Sequence, residues 1–145
     1  MSLWFAAVLS ALGPMPQPPR VTRVQGMLDG VNDERRTAGV PGLQSDACLG
    51  AVANERAQDM VQRNYFSHFT PTGLSPWDYL RAGGCRFHYA GENIAEADDE
   101  NTALTELWNS SPHRENTLDV HYTKIGIAVA TRPDGTEVFV EDFSD

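Results

Sequence analysis

Two apolar runs near the C-terminus, KIGIAVA (124–130) and EVFVEDF (137–143), alternate with a period near two and flank TRPDGT (131–136). Strand side chains point to opposite faces in turn, and an Asp-Gly pair between two such runs is a hairpin signal. A hairpin alone is marginal in water; it needs more strands or a helical layer over its apolar face. Most of the sequence upstream is helical in period. The chain is thereby constrained to an α+β domain, a small antiparallel sheet covered by helices.

The helices follow from spacing and caps. Val24, Met27, Leu28, Val31 and Ala38 keep helical spacing from Val21, and GVPG (39–42) stops the segment. Ser45 or Asp46 caps a second helix with an inner stripe of Leu49, Val52, Ala53, Ala57, Met60 and Val61. SPWDYLRAGG (75–84) is a short third helix, with Ser75 as N-cap, Pro76 at the first position and two glycines as its stop. GENIAEA (91–97) reads as a strand. DDENTALTELWNSS (98–111) begins with acids and carries Ala103, Leu104, Leu107 and Trp108 on one face, a fourth helix ended by Pro112. Trp77 and Trp108 occupy helical stripes and are expected in the core.

Bulk properties exclude some functions. The 145 residues suit one domain. With 20 acids against 11 bases the net charge is −9, which disfavours nucleic acid and anionic lipid as partners. Cys48 and Cys85 have no CxxC or zinc-finger spacing; they are two buried thiols or one disulfide, which an exported protein would form. WFAAVLSAL (4–12) is too short to span a bilayer and resembles a shortened signal core, although the first basic residue is Arg20. GPMPQPPR (13–20) is a stiff linker, so residues 1–20 form an N-terminal segment and 21–145 the domain. An exported protein with its targeting segment cut away or shortened is the expectation.

Candidate chemistry gathers around three residues. His68, in NYFSHFTPTG (64–73), lies between Phe66 and Phe69 and is either a packed ring or part of a site. His113, in SSPHREN, follows the fourth helix, and Glu92, in AGENIA, starts a strand. Two imidazoles and a carboxylate suit a divalent metal or acid–base work near neutral pH. Ser67 makes a poor dyad with its neighbour His68, since adjacent residues in an extended segment point apart. Ser110 and Ser111 lack a glycine-framed nucleophile elbow, and Cys48 has no basic neighbour. His88 and His121 read as surface or packing residues. There is no P-loop, GxGxxG or HExxH.

NYFSHFTPTG, AGENIA, SPHRENTL (111–118) and YTKIGIAVA (122–130), in that order and spacing, resemble the CAP superfamily in its compact bacterial branch. That superfamily comprises the cysteine-rich secretory proteins, antigen 5 and the plant pathogenesis-related proteins. The resemblance covers about residues 24–144; VNDERRTAGVPGL and ANERAQDM fit its first two helices, and VFVEDF its last strand. It implies a three-layer α-β-α sandwich around a central antiparallel sheet, with an open cleft carrying two histidines and two glutamates. His68, Glu92 and His113 match three of these. Ser111 stands where the second glutamate is expected, and Glu106, a turn earlier, is its possible substitute. The resemblance implies a secreted or cell-envelope protein and a monomer. Its cleft is expected to bind a divalent cation such as zinc weakly, through His68 and His113 with Glu92 nearby. A partner protein or a small apolar ligand is the other expected occupant, and no catalytic residue is assigned. The alternatives are a hydrolase assisted by a metal or by Glu92, and a sterol or fatty-acid carrier.

Overall fold

The computed structural model describes residues 18–145, so the apolar run 4–12 and most of the proline-rich linker lie outside the described residues. The elements in chain order are α1 (Arg20–Thr37), β1 (Gln44–Ser45), α2 (Ala47–Gln62), α3 (Pro76–Ala82), β2 (Ala90–Ala97), α4 (Glu100–Asn109), α5 (Ser111–Leu118), β3 (Lys124–Thr131) and β4 (Glu137–Ser144). The strands form one sheet in the order β1-β3-β4-β2. The expected hairpin is present, in register from Lys124↔Ser144 to Thr131↔Glu137, and β2 pairs antiparallel on the other side of β4. β1 adds a two-residue parallel pairing to β3, too short for any period to reveal.

Three layers result. On one face α2 sets Ala53, Ala57 and Met60 against Ile94, Ala128, Val138 and Val140. On the other, Met27, Val31, Ala103 and Leu107 from α1 and α4 meet Ala95, Ile127, Val129, Phe139 and Phe143. β4 is central and all eight of its residues are buried, so its period-two pattern serves both layers. α2 approaches β3 closely because position 126 is glycine: a Cβ there would collide with the Leu49 and Gly50 backbone.

Local signals explain the ends. Asp46 caps α2 by accepting from Leu49 N at 2.9 Å, and Ser75 with Asp78 forms a capping box on α3. Pro112 does not end the fourth helix as the sequence reading has it. Ser110 breaks the helix with extended backbone, and Pro112 sits in the first turn of a separate helix, α5. The tryptophans also differ from expectation. Trp77 is 38% exposed, and Trp108 is half-buried, with the Arg114 guanidinium 5.7 Å from its ring. Arg35 is buried and donates to the carbonyls of Pro41, Thr117, Asp119 and Tyr122, tying α1 to the segment that leads into β3.

Cys48 and Cys85 form a disulfide, with Cα atoms 5.7 Å apart and a sequence separation of 37. It links the start of α2 to the segment after α3. Two acids on successive β4 positions are buried, one facing each layer. Glu141 accepts from Asn93 Nδ2 at 3.2 Å through one oxygen, while its other oxygen has no partner. Burial pushes its pKa up to about 7, with the Asn93 bond opposing. Asp142, whose two oxygens have no hydrogen-bond partner, is raised by burial and by the Glu92 charge, against the pull of Arg56.

The packing has two measurable consequences. Cys48→Ser/Cys85→Ser should lower unfolding free energy by about 4 kcal/mol on the chain-entropy model; urea denaturation reads this directly, and an unchanged midpoint would contradict it. Folded Glu141 keeps its proton where the unfolded chain has lost it, so its contribution to stability declines as pH rises from the ordinary carboxylate value toward about 7. Glu141→Gln should therefore flatten the fall in denaturation midpoint across that window; a profile as steep as wild type would refute the assignment.

Candidate functional site

The site is organised by a residue that the sequence reading passes over. The buried stripe of α2 includes position 56, and there it carries arginine. A guanidinium on a core stripe requires a partner. Arg56 finds it in Glu92, with Nε to Oε2 at 2.8 Å and Nη2 to Oε1 at 2.9 Å, and both side chains are essentially inaccessible to water. Burial alone would lower the Arg56 pKa, but the hydrogen bonds and charge of Glu92, with help from Tyr65, raise it overall. The same guanidinium donates to the carbonyls of Ser67 and His68 at 3.0 Å and to Tyr65 Oη at 3.1 Å. Tyr65 in turn donates to Asp59 at 2.6 Å. Arg56 thus holds both the carboxylate on β2 and the loop that carries His68.

His68 Nδ1 lies 2.9 Å from Glu92 Oε1, and its side chain is 43% exposed. An ionised carboxylate can only accept, so in this contact Nδ1–H donates to Glu92 Oε1 and the other ring nitrogen, Nε2, stands outside the bond. His68 and Glu92 line a hollow of about 250 Å³ with Phe69, Pro76, Trp77 and Tyr122. Position 91 must be glycine here, because a Cβ would meet Tyr122 Oη and Asn116 Oδ1.

His113 sits in the first turn of α5, where its carbonyl accepts from Asn93 Nδ2 at 3.1 Å. Its imidazole pKa is lowered, first by burial and then by the charge of His68. Both effects favour the uncharged form of the His113 ring. It lines a second hollow of about 230 Å³, next to the first along β2, with Phe66, Glu96, Glu106 and Ser110. Glu106 thus shares a hollow with His113. Ser111 is exposed at the start of α5, outside the lining of both hollows, and bonds Glu115 at 3.1 Å.

The remaining candidates fall elsewhere. Ser67 Oγ accepts from Phe69 N at 3.1 Å and is no partner for His68. His121 stacks on Tyr89 and bonds Asp119, while His88 bonds Asp145. Among the described residues, no group of three or more His, Cys, Asp or Glu side chains converges so as to hold a metal ion. Glu92 is occupied by Arg56 and His68, which leaves the two imidazoles, with Glu96 and Glu106 beside His113, as the titratable side chains lining the hollows. Among the described residues, no helix is long and apolar enough to cross a membrane.

The model of the cysteine-rich secretory protein family, CAP, matches residues 28–143. Among curated proteins, YkwD of Bacillus subtilis (strain 168) is 39% identical over 97 residues, which cover 66% of this chain and 38% of that protein. Among solved structures, an extracellular protein containing an SCP domain from Bacillus anthracis superposes with a TM-score of 0.80 at 31% identity, over 90% of this chain and 44% of that one. An outer surface protein of Borrelia burgdorferi superposes with a TM-score of 0.79 at 21% identity, over 84% of this chain and 91% of that one, a likeness of fold. The chain therefore spans less than half the length of the two Bacillus relatives. With an α-β-α sandwich and a family match over residues 28–143, this chain belongs to CAP, the cysteine-rich secretory protein family.

Proposed function

We propose that this chain is an extracellular binding module that works through the open cleft along β2, where His68 and His113 share a divalent cation such as zinc. The observation that carries the reading is the Arg56–Glu92–His68 arrangement, which presents a histidine with one nitrogen fixed and the other free. A carboxylate bonded to the second nitrogen of a metal-ligating histidine is the usual outer-shell support. The lowered pKa of His113 favours the same use, since a ligand imidazole must be unprotonated. The extracellular assignment draws on the relatives described as extracellular or outer surface proteins, and on the disulfide.

Binding is favoured over catalysis. A catalytic zinc keeps three protein ligands as a rule, and two imidazoles with waters make a weaker, more open site. Glu92 is neutralised by Arg56 and buried beneath His68, a poor position from which to activate water. Each hollow also falls below the roughly 300–1,000 Å³ of pockets that enclose drug-sized ligands, which disfavours a sterol carrier.

Zinc should raise the melting temperature of the wild-type chain and leave His68→Ala/His113→Ala unmoved. The wild-type shift should shrink below about pH 6, where a cation must compete with protons for any imidazole ligand. Equal shifts in the two proteins would remove the cation from this cleft.

A further inference from the structure

β2 is an edge strand, with no strand on its outer side among the described residues. Asp145 N donates to Tyr89 O across the β2–β4 register, so odd positions turn their backbone groups inward to β4. Ala90, Glu92, Ile94 and Glu96 turn theirs outward. Side chains answer two of these at long distance: Trp77 Nε1 to Ala90 O at 3.3 Å and Asn116 Nδ2 to Glu92 O at 3.4 Å. The outward groups of Ile94 and Glu96 have no partner among the described residues. This edge forms the floor of both hollows, one over residues 90–92 and the other over 94–96.

The hollows differ in chemistry. The first is walled by Phe69, Pro76, Trp77 and Tyr122, and Trp77 is oriented by its bond to Ala90 O. The second carries the carboxylates of Glu96 and Glu106. Glu96 is shared with Arg132, while Glu106 makes no ion pair among the described residues of a chain with net charge −9. Their centres are four strand residues apart, about 13 Å at the rise of a β-strand. In an added strand, residues i and i+4 lie on one face at that spacing.

Resting on the reading of this cleft as the binding surface, we propose that β2 takes up an extended peptide as a fifth strand. Its main chain pairs with Ile94 and Glu96, an aromatic or large apolar side chain fills the first hollow, and a Lys or Arg four residues away enters the second. Exposed aromatics beside a sheet edge with unpaired backbone groups fit a strand-adding partner, and the two acids set the sign of its charge.

The test is fluorescence anisotropy of the full chain with a positional-scanning library of end-blocked, fluorescein-labelled heptapeptides, run in EDTA and again with zinc. Selection of an aromatic and a basic residue four apart is expected. Binding should weaken about tenfold or more when the basic residue becomes Glu, when the protein carries Glu106→Lys, or when alternate peptide nitrogens are methylated. Amide exchange at Ile94 and Glu96 should slow in the complex. No binding at about 1 mM peptide, indifference to spacing, or equal affinity for N-methylated peptides would overturn the proposal, as would a preference for oligosaccharides over every peptide. Peptide binding in EDTA alongside a failed zinc shift would overturn the cation reading alone; a zinc shift without peptide binding would overturn this one alone.

Discussion

The buried pair of Arg56 and Glu92 is the constraint on which the rest of the cleft depends. Two charges taken out of water cost several kcal/mol each, and only close, fully bonded geometry offsets that cost. Here the offset is shared among Glu92, Tyr65 and two loop carbonyls, so the guanidinium cannot keep its bonds unless α2, β2 and the segment 65–68 hold fixed relative positions. The pair does little to favour this fold over others. It specifies one arrangement of three elements at the sheet edge, and it aims the ring of His68 outward.

The two faces of the sheet meet this edge in different ways. On the α2 face, Glu92 and Asp142 are cross-strand neighbours that share the field of one Arg56. Two carboxylates beside one guanidinium cannot both ionise cheaply, and burial with the Glu92 charge raises the pKa of Asp142, whose oxygens lack partners. On the opposite face, Asn93 stands between Glu141 and α5, donating to both the carboxylate and the His113 carbonyl. Consecutive β2 residues thus set the two histidines, Glu92 through its side chain to His68 and Asn93 through the backbone of His113. The alternation of the strand ties His68 to one side of this edge and the His113 backbone to the other.

Much of the fold was legible because its signals are local. The hairpin, the Asp46 and Ser75 caps and the β2 run each follow from a few adjacent residues, and the structure agrees with them. The break at Ser110 was not legible, since Pro112 serves equally as the stop of one helix or the first turn of the next, and only backbone angles decide. β1 was invisible because two residues carry no period. At the site, the motifs brought His68, Glu92 and His113 to notice, but neither motif nor spacing reveals that Glu92 is spoken for. The signal for that was present in α2: the stripe Leu49, Val52, Ala53, Ala57 and Met60 leaves position 56 on its inner face, and a charged residue there predicts a buried counter-charge somewhere.

The location of the cleft follows from what a small sheet between helical layers leaves open. β4 is enclosed on all sides, and helices cover both faces, so strand backbone groups can meet a ligand only at an edge. The outer edge of β3 begins under β1, whereas β2 is flanked by the 64–77 loop and by α5, the segments that carry the two histidines. On the β2 edge the histidine-bearing segments and outward backbone groups therefore coincide. A ligand that used only the histidines would ignore the peptide groups beneath them, and one that used only the edge would ignore the aromatic and acidic walls. A ligand that engaged both would meet aromatic and acidic walls and outward backbone groups along the same strand.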